Sequence, residues 1–356
     1  MPGRLRRYRA VVVRPLPVPA ALDLVTGTPE DLGPLAGRPL LAVDLAGADS
    51  DDVARLLALT TMLPCVVVGV AVADNDAPPA GCDVLLSGAS VDPGPPWRWC
   101  PDGVHPALVD LATAVDRSPQ AATVLVQLLR LGRGRPLDEG LTAESLAYAT
   151  LQGGAEHRAW LASRAGRPPR LPSAVEPVGV DRAGDTLSVT LRRPEVRNAV
   201  DTGVRDGLVA AFGLAAADDS ITRVVWTGEG SDFCSGGDLD EFGTTPDPTT
   251  GHLVRSTRSP ARALARCAAT TRVEVHVQGA CIGAGLELAA LAHHVVAAPD
   301  ARFRLPEVAM GLVPGAGGTA TIPRRIGPQL TAWLALTGTP IDAPTALSWH
   351  LIDALT

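Results

Sequence analysis

Residues 273–291 read VEVHVQGACIGAGLELAAL. The stretch starts as an alternating apolar run, VEVHVQG, which is the pattern of a strand with one buried face. It passes through the small residues Gly279, Ala280, Gly283, Ala284 and Gly285, then takes up a helical apolar pattern. Strand, small-residue turn, helix is the unit of a layered α/β domain, whose ligand sites lie at the strand ends. The first N–H groups of such a helix have no internal acceptors and can serve a ligand. Within CIGAGLELAAL (281–291) only Glu287 is neither small nor apolar. A carboxylate in that setting is costly unless it has a partner or a chemical task.

The pattern recurs on either side. TLSVTLRRP (186–194) reads as a strand, VRDGLVAAFGLAAAD (204–218) as a helix, and ITRVVWTG (221–228) as a strand entering the turn GEGSDFCSGGD. ARALARCAAT is helical; HVVAAP and ARFRL are short strands; PQLTAWLALTG is a helix. The polar segment 243–260, GTTPDPTTGHLVRSTRSP, reads as a pocket-shaping loop. Upstream, PLLAVDL, PCVVVGVAV and CDVLLS read as strands, with a helix over DSDDVARLLALTTM capped by Ser50 or Asp51. Helical patterns then run from about His105 to Ser163. The Pro- and Arg-rich segment 162–179 marks a boundary. The expected division is an α/β unit over 1–165 with a helical tail at 105–164, a linker at 166–178, and a core at 179–356.

The 356 residues suffice for two domains. A net charge of −7 argues against a nucleic-acid surface, and no segment reaches the roughly 20 apolar residues of a membrane span. The chain contains no lysine, so Schiff-base chemistry and a phosphate-loop lysine are both excluded. Its six cysteines form no CxxC pair and no metal-ligand spacing; with no signal peptide read at the start, reduced thiols in a cytoplasmic protein are expected. The histidines have no ligand spacing, and no metal is assigned.

Three segments carry the chemistry. DFCSGGDLDEF (232–242) has adjacent glycines that expose backbone N–H groups, and GACIGAGLELA (279–289) has a second such turn. Facing each other, the two turns would provide the convergent donors of an oxyanion hole. FRLPEVAMGLVPGAGGT (303–319) adds a second isolated carboxylate, Glu307, and a glycine-rich loop.

Together with RPEVRNAV (193–200), these motifs make residues 178–356 resemble the crotonase, or enoyl-CoA hydratase/isomerase, superfamily. The resemblance implies a spiral of repeated ββα units and an acyl group held as a coenzyme A thioester. It implies an oxyanion hole from the N–H groups of Gly237 and Ala284. Glu287 would activate water and Glu307 would deliver the α-proton, with Gly315 near the reacting atoms. Val196, Arg197, Ser235, Gly236, Asp238 and Gly283 would surround the substrate, and Arg197, Arg255 or Arg258 would meet the coenzyme A phosphates. No dissociable cofactor beyond that coenzyme A is implied, and a trimer or dimer of trimers is expected. Two glutamates favour a hydratase, or the reverse dehydration, over a double-bond isomerase or another enolate-forming enzyme. A non-catalytic scaffold is the alternative of a different class.

Members of that superfamily usually continue beyond the point matched by Thr356 with a helical tail. Residues 105–164 resemble that tail, including an LxEGLxxE-like turn, and the strands upstream resemble an eroded core without the catalytic turn. The expectation is a degenerate first copy, without catalysis of its own, whose tail serves the second; an unrelated accessory domain is the alternative.

Overall fold

The structure is a computed structural model and describes residues 13–71, 81–164 and 176–356. The upstream half is built on a fully parallel five-stranded sheet in the order β1 (Leu16–Pro17), β2 (Leu40–Asp44), β3 (Val66–Ala71), β4 (Val84–Ser87), β5 (Arg98–Trp99). All six residues of β3 are buried, as expected of a parallel strand covered on both faces. Successive side chains go to different cores, following the two-residue strand period. Val67 packs with Leu41, Leu85 and helices α1 (Val18–Gly27) and α2 (Ser50–Thr60). Val66, Val68 and Val70 belong instead to the large core that continues into the downstream half. The N-cap of α2 is Asp49, whose carboxylate accepts from the N–H groups of Asp51 and Asp52. The cap thus lies just before the expected Ser50 or Asp51.

Four helices follow: α3 (Val104–Arg117), α4 (Pro119–Gly132), α5 (Leu137–Gln152) and α6 (Ala155–Ser163). A buried ion pair ties α4 to the upstream sheet. Arg130 Nε lies 2.8 Å from Asp83 Oδ1, and the guanidinium also donates to the carbonyls of Leu63 and Cys65. The linker expected at 166–178 falls mostly outside the described residues; Val178, its last residue, already pairs in a strand.

The downstream half begins with the antiparallel pair β6 (Val178–Ala183) and β7 (Thr186–Leu191), followed by α7 (Thr202–Ala217) and β8 (Arg223–Gly228). Next come α8 (Pro248–Thr257), α9 (Pro260–Ala268), β9 (Arg272–Val277), β10 (Ala280–Ile282) and α10 (Ala284–Ala289). Last are β11 (His294–Ala297), β12 (Arg302–Arg304), α11 (Gly318–Thr321), α12 (Pro323–Thr337), β13 (Ile341–Asp342), α13 (Ala343–Ser348) and β14 (Ala354–Leu355). A six-stranded sheet in the order β14-β11-β9-β8-β7-β6 is parallel apart from the β6–β7 pair, and β10-β12-β13 form a smaller sheet.

The segment expected to be a loop at 243–260 contains α8, capped by Asp247 through the Thr250 N–H. Its sequence is polar and rich in Thr and Gly, so it lacks the apolar spacing from which a helix is read. α8 gains its packing surface from α5, which also packs on α11, while α3 and α4 pack on α12. The upstream helices therefore cover the downstream elements that follow Glu307. All six cysteines are free and buried. Among the described residues no helix is long and apolar enough to cross a membrane.

Candidate active site

The two small-residue turns meet side by side. Cys234 N–H donates to Ala280 O, and Ile282 N–H donates back to Cys234 O, forming a short parallel bridge between them. Val200 N–H donates to Gly236 O and Asp238 N–H to Val200 O, so the Gly237 N–H between them points away from that partner. Neither the Gly237 N–H nor the Ala284 N–H at the start of α10 has a backbone acceptor among the described residues. Both residues line one cavity of about 250 Å³. Two free donors there are what a developing enolate oxygen requires.

The RPEVRNAV turn braces this arrangement. Arg197 and Asn198 sit in the left-handed region, with φ of 52° and 54°. The Asn198 side chain holds them there by donating to the carbonyls of Glu229 and Asp232 and accepting from the Arg193 N–H. Arg197 O then accepts from Ser235 N–H, and Val196 O from the Ser235 hydroxyl. Asp238 is buried 3.1 Å from the Arg193 guanidinium.

Glu287 lies one turn into α10 and is buried. Its Oε2 accepts from Ala316 N–H at 2.7 Å and Gly318 N–H at 2.9 Å. Burial pushes this carboxyl up to about 7, against the opposing pull of those backbone donors. Glu307 reaches the same cavity from the short turn after β12. Its Oε2 is buried with no hydrogen-bond partner, and Oε1 packs where a Cβ on Gly283 would stand. Burial first, and the Glu287 charge second, raise it well above the ordinary carboxylate range. Of the two, Glu287 has the donors that favour an anion, whereas burial disfavours the charged form of Glu307.

A third carboxylate, Glu144 of α5, was not expected. It is buried, with Oε1 accepting from Gly317 N–H at 2.6 Å and Oε2 from the N–H and hydroxyl of Thr319 at 2.8 and 2.7 Å. Consecutive N–H groups from 316 to 319 thus alternate between Glu287 and Glu144. Burial, then the Glu287 charge, raises Glu144 as well. The signal available in sequence was an acid on an otherwise small and apolar helix, TAESLAYATL, the same signal that drew attention to Glu287.

The cavity collects Gly237, Ala284, Glu287, Glu307 and Gly315, together with Tyr148 and Leu141 of α5 and Arg255 of α8. A Cβ on Gly315 would lie 2.4 Å from the Tyr148 ring, so a glycine is needed for α5 to approach. Val196, Arg197, Ser235, Gly236, Asp238 and Gly283 do not line it; they shape the turns behind the two free N–H groups. Among the described residues no group of three or more His, Cys, Asp or Glu is arranged to hold a metal ion.

Comparison with known proteins places residues 182–356 in one family. The chain belongs to the enoyl-CoA hydratase/isomerase family, whose profile matches residues 182–356. It is 38% identical over 175 residues to the 2,3-dehydroadipyl-CoA hydratase of Escherichia coli (strain K12), covering 49% of this chain and 67% of that protein. It is 34% identical over 170 residues to the 1,2-epoxyphenylacetyl-CoA isomerase of the same organism, covering 47% and 64%. A solved enoyl-CoA hydratase from Thermoplasma volcanium GSS1 shares 29% identity over 51% of this chain and 72% of that one, with a TM-score of 0.47. The matched relatives include hydratases and an isomerase, and this chain spans about two thirds of their length or less.

Proposed function

We propose that this chain hydrates a 2-enoyl-CoA thioester, or catalyses the reverse dehydration. The observation that carries the reading is the contrast between the two carboxyls on one cavity. Glu287 is supported as an anion by backbone N–H donors, while Glu307 is buried with an unpartnered oxygen. In this reading the thioester carbonyl sits between the N–H groups of Gly237 and Ala284. Glu287 takes a proton from water as its oxygen bonds to the β-carbon. The π electrons move onto the thioester oxygen as an enolate, and Glu307 then gives its proton to the α-carbon. Water is consumed, and proton exchange with solvent resets the two carboxyls. Each hole donor is worth roughly 3–4 kcal/mol in such reactions, and a positioned acid or base about 10²–10⁴-fold. The reaction needs no redox partner and no cofactor beyond the substrate's own coenzyme A.

In this proposal the helices of the upstream half, which resemble a crotonase helical tail, serve as the cover of the downstream active site. Their packing over the cavity through Leu141 and Tyr148 supports that. The six buried free thiols fit a reducing, cytoplasmic setting. A homotrimer or hexamer is the assembly the family suggests, and light scattering tests it.

The deciding experiment follows loss of the enoyl-thioester absorbance of crotonyl-CoA with wild type, Glu287→Gln and Glu307→Gln. Hydration by wild type and by neither variant supports the proposal. An isomerase reading takes its place if 3-enoyl-CoA is converted and only Glu307→Gln abolishes activity. Tight coenzyme A binding with no turnover of any enoyl-CoA points to a different enolate reaction, and no binding at all to a scaffold.

A further inference from the structure

Four arginines line the cavity: Arg205, Arg255, Arg258 and Arg262. Three have carboxylate partners: Arg205 with Asp206 at 3.0 Å, Arg258 with Asp206 at 3.7 Å, and Arg262 with Asp138 at 3.3 Å. Arg255 has none within 4.0 Å among the described residues. Its contacts are neutral: Nε donates to Ser145 Oγ at 3.2 Å, and Nη2 to Ser145 O at 3.5 Å and Gln152 Oε1 at 3.2 Å. The guanidinium also lies 4.4 Å from the centroid of the Tyr148 ring. Nη1, with two N–H groups, makes no hydrogen bond among the described residues. Burial opposes this charge and the charge of nearby Glu144 offsets only part of that, so a guanidinium with no carboxylate in contact has room for one.

The position of Arg255 argues against the coenzyme A phosphates as that counter-ion. It stacks on Tyr148, whose ring lies against Gly315 in the loop that holds Glu287. Arg255 is therefore near the reacting end of the cavity, whereas the pantetheine arm separates the phosphates from the thioester. We infer that the acyl pocket is built for a chain ending in a carboxylate, which Arg255 receives through Nη1 on the wall formed by α5 and α8. A carboxylate accepts an Nη1 N–H and neutralises the charge; a methyl end would leave the guanidinium without a contacting anion. The inference rests on the enoyl-CoA reading for the location of the thioester, but its own observation is the unpaired cation.

Binding tests it separately from catalysis. Calorimetry compares hexanedioyl-CoA, its terminal methyl ester and hexanoyl-CoA on the wild type, Arg255→Met and Arg255→Lys. Wild type should prefer the diacid by at least about tenfold over both neutral ligands. Arg255→Met should bring the three ligands close to equal by weakening only the diacid, and Arg255→Lys should keep part of the preference. Equal or tighter binding of hexanoyl-CoA to the wild type overturns the inference, even if no variant folds. So does an equal loss for all three ligands in Arg255→Met, which would assign the arginine to the coenzyme A moiety. Hydration of crotonyl-CoA and of 2-hexenedioyl-CoA is measured on the same preparations. Turnover without diacid preference refutes only the role of Arg255, whereas diacid preference without turnover of either enoyl-CoA refutes only the hydratase reading.

Discussion

Gly283→Ala is the substitution that most directly asks whether the position of Glu307 matters. Gly283 has φ 50° and ψ −122°, a conformation that an L side chain adopts only under strain. Holding alanine there costs about 1–3 kcal/mol. The added Cβ would also stand 2.5 Å from Glu307 Oε1, where ordinary contact begins at 3.4 Å. Because Gly283 is fixed by its N–H bond to Arg304 O at 2.9 Å, the carboxyl is the partner free to move, by close to an ångström. Misplacement on that scale costs roughly 10²-fold in rate. The expected result is a fall of about that size in kcat for enoyl-CoA hydration, with KM changed far less and the melting temperature lowered by a few degrees. Steady-state kinetics beside a thermal melt gives all three quantities. If kcat stays within about threefold of wild type while stability falls as stated, Glu307 does not act in the rate-determining chemistry.

The kcat/KM profile should be bell-shaped: activity needs Glu287 ionised, so it rises through about pH 7, and it needs Glu307 protonated, so it falls at higher pH. A profile flat from pH 6 to 9 would contradict that division of roles. Stability should have its own pH dependence. Glu144, Glu287 and Glu307 titrate higher when folded than the roughly 4.3 of an unfolded glutamate, so the folded state binds more protons above that pH. Their contribution is complete near pH 4 and is lost as pH rises through the folded values, about 7 for Glu287 and about 8 for Glu144, with Glu307 also raised; the melting temperature should fall from pH 4 to 8, and less steeply in Glu307→Gln. In the upstream half, Asp83→Ala should cost about 3–5 kcal/mol by leaving Arg130 buried without its counter-charge, read as a shift in denaturant midpoint. A loss below about 1 kcal/mol would mean that the pair merely breaks even.

Much of the site was readable because its chemistry depends on residues that look out of place. Glu287 and Glu307 are carboxylates set among small and apolar residues, and one glycine stands immediately before each free N–H, Gly236 before Gly237 and Gly283 before Ala284. Local sequence could not carry what depends on partners distant in the chain. α8 was unreadable because Thr249, Thr250 and Gly251 give no apolar stripe, and its stability comes from α5, about a hundred residues upstream. The cap of α2 is Asp49 rather than Ser50 or Asp51 because Asp49, Ser50, Asp51 and Asp52 can all cap, and only the backbone geometry selects Asp49. Glu144 carried the same local signal as Glu287, an acid among small and apolar residues, but its partners Gly317 and Thr319 lie about 170 residues downstream, so only the fold shows what it holds.

Glu144 also bears on why the two halves share a core. Residues 316–319 offer four successive backbone N–H groups, and a strand-like or extended neighbour could take only alternate ones. Here the alternate groups go to different halves of the chain: Ala316 and Gly318 to Glu287, Gly317 and Thr319 to Glu144. Removing Glu144 would leave two buried N–H groups unpaired, each at about 1–3 kcal/mol, in the very loop whose other two donors support Glu287 as an anion. The geometry of Glu287 is therefore set jointly. Its own helix supplies the carboxylate, and the upstream helix α5 fixes the loop that the carboxylate must meet. A downstream half separated from residues 137–152 would keep every residue recognised in the sequence and still lack the support that holds residues 316–319 in place.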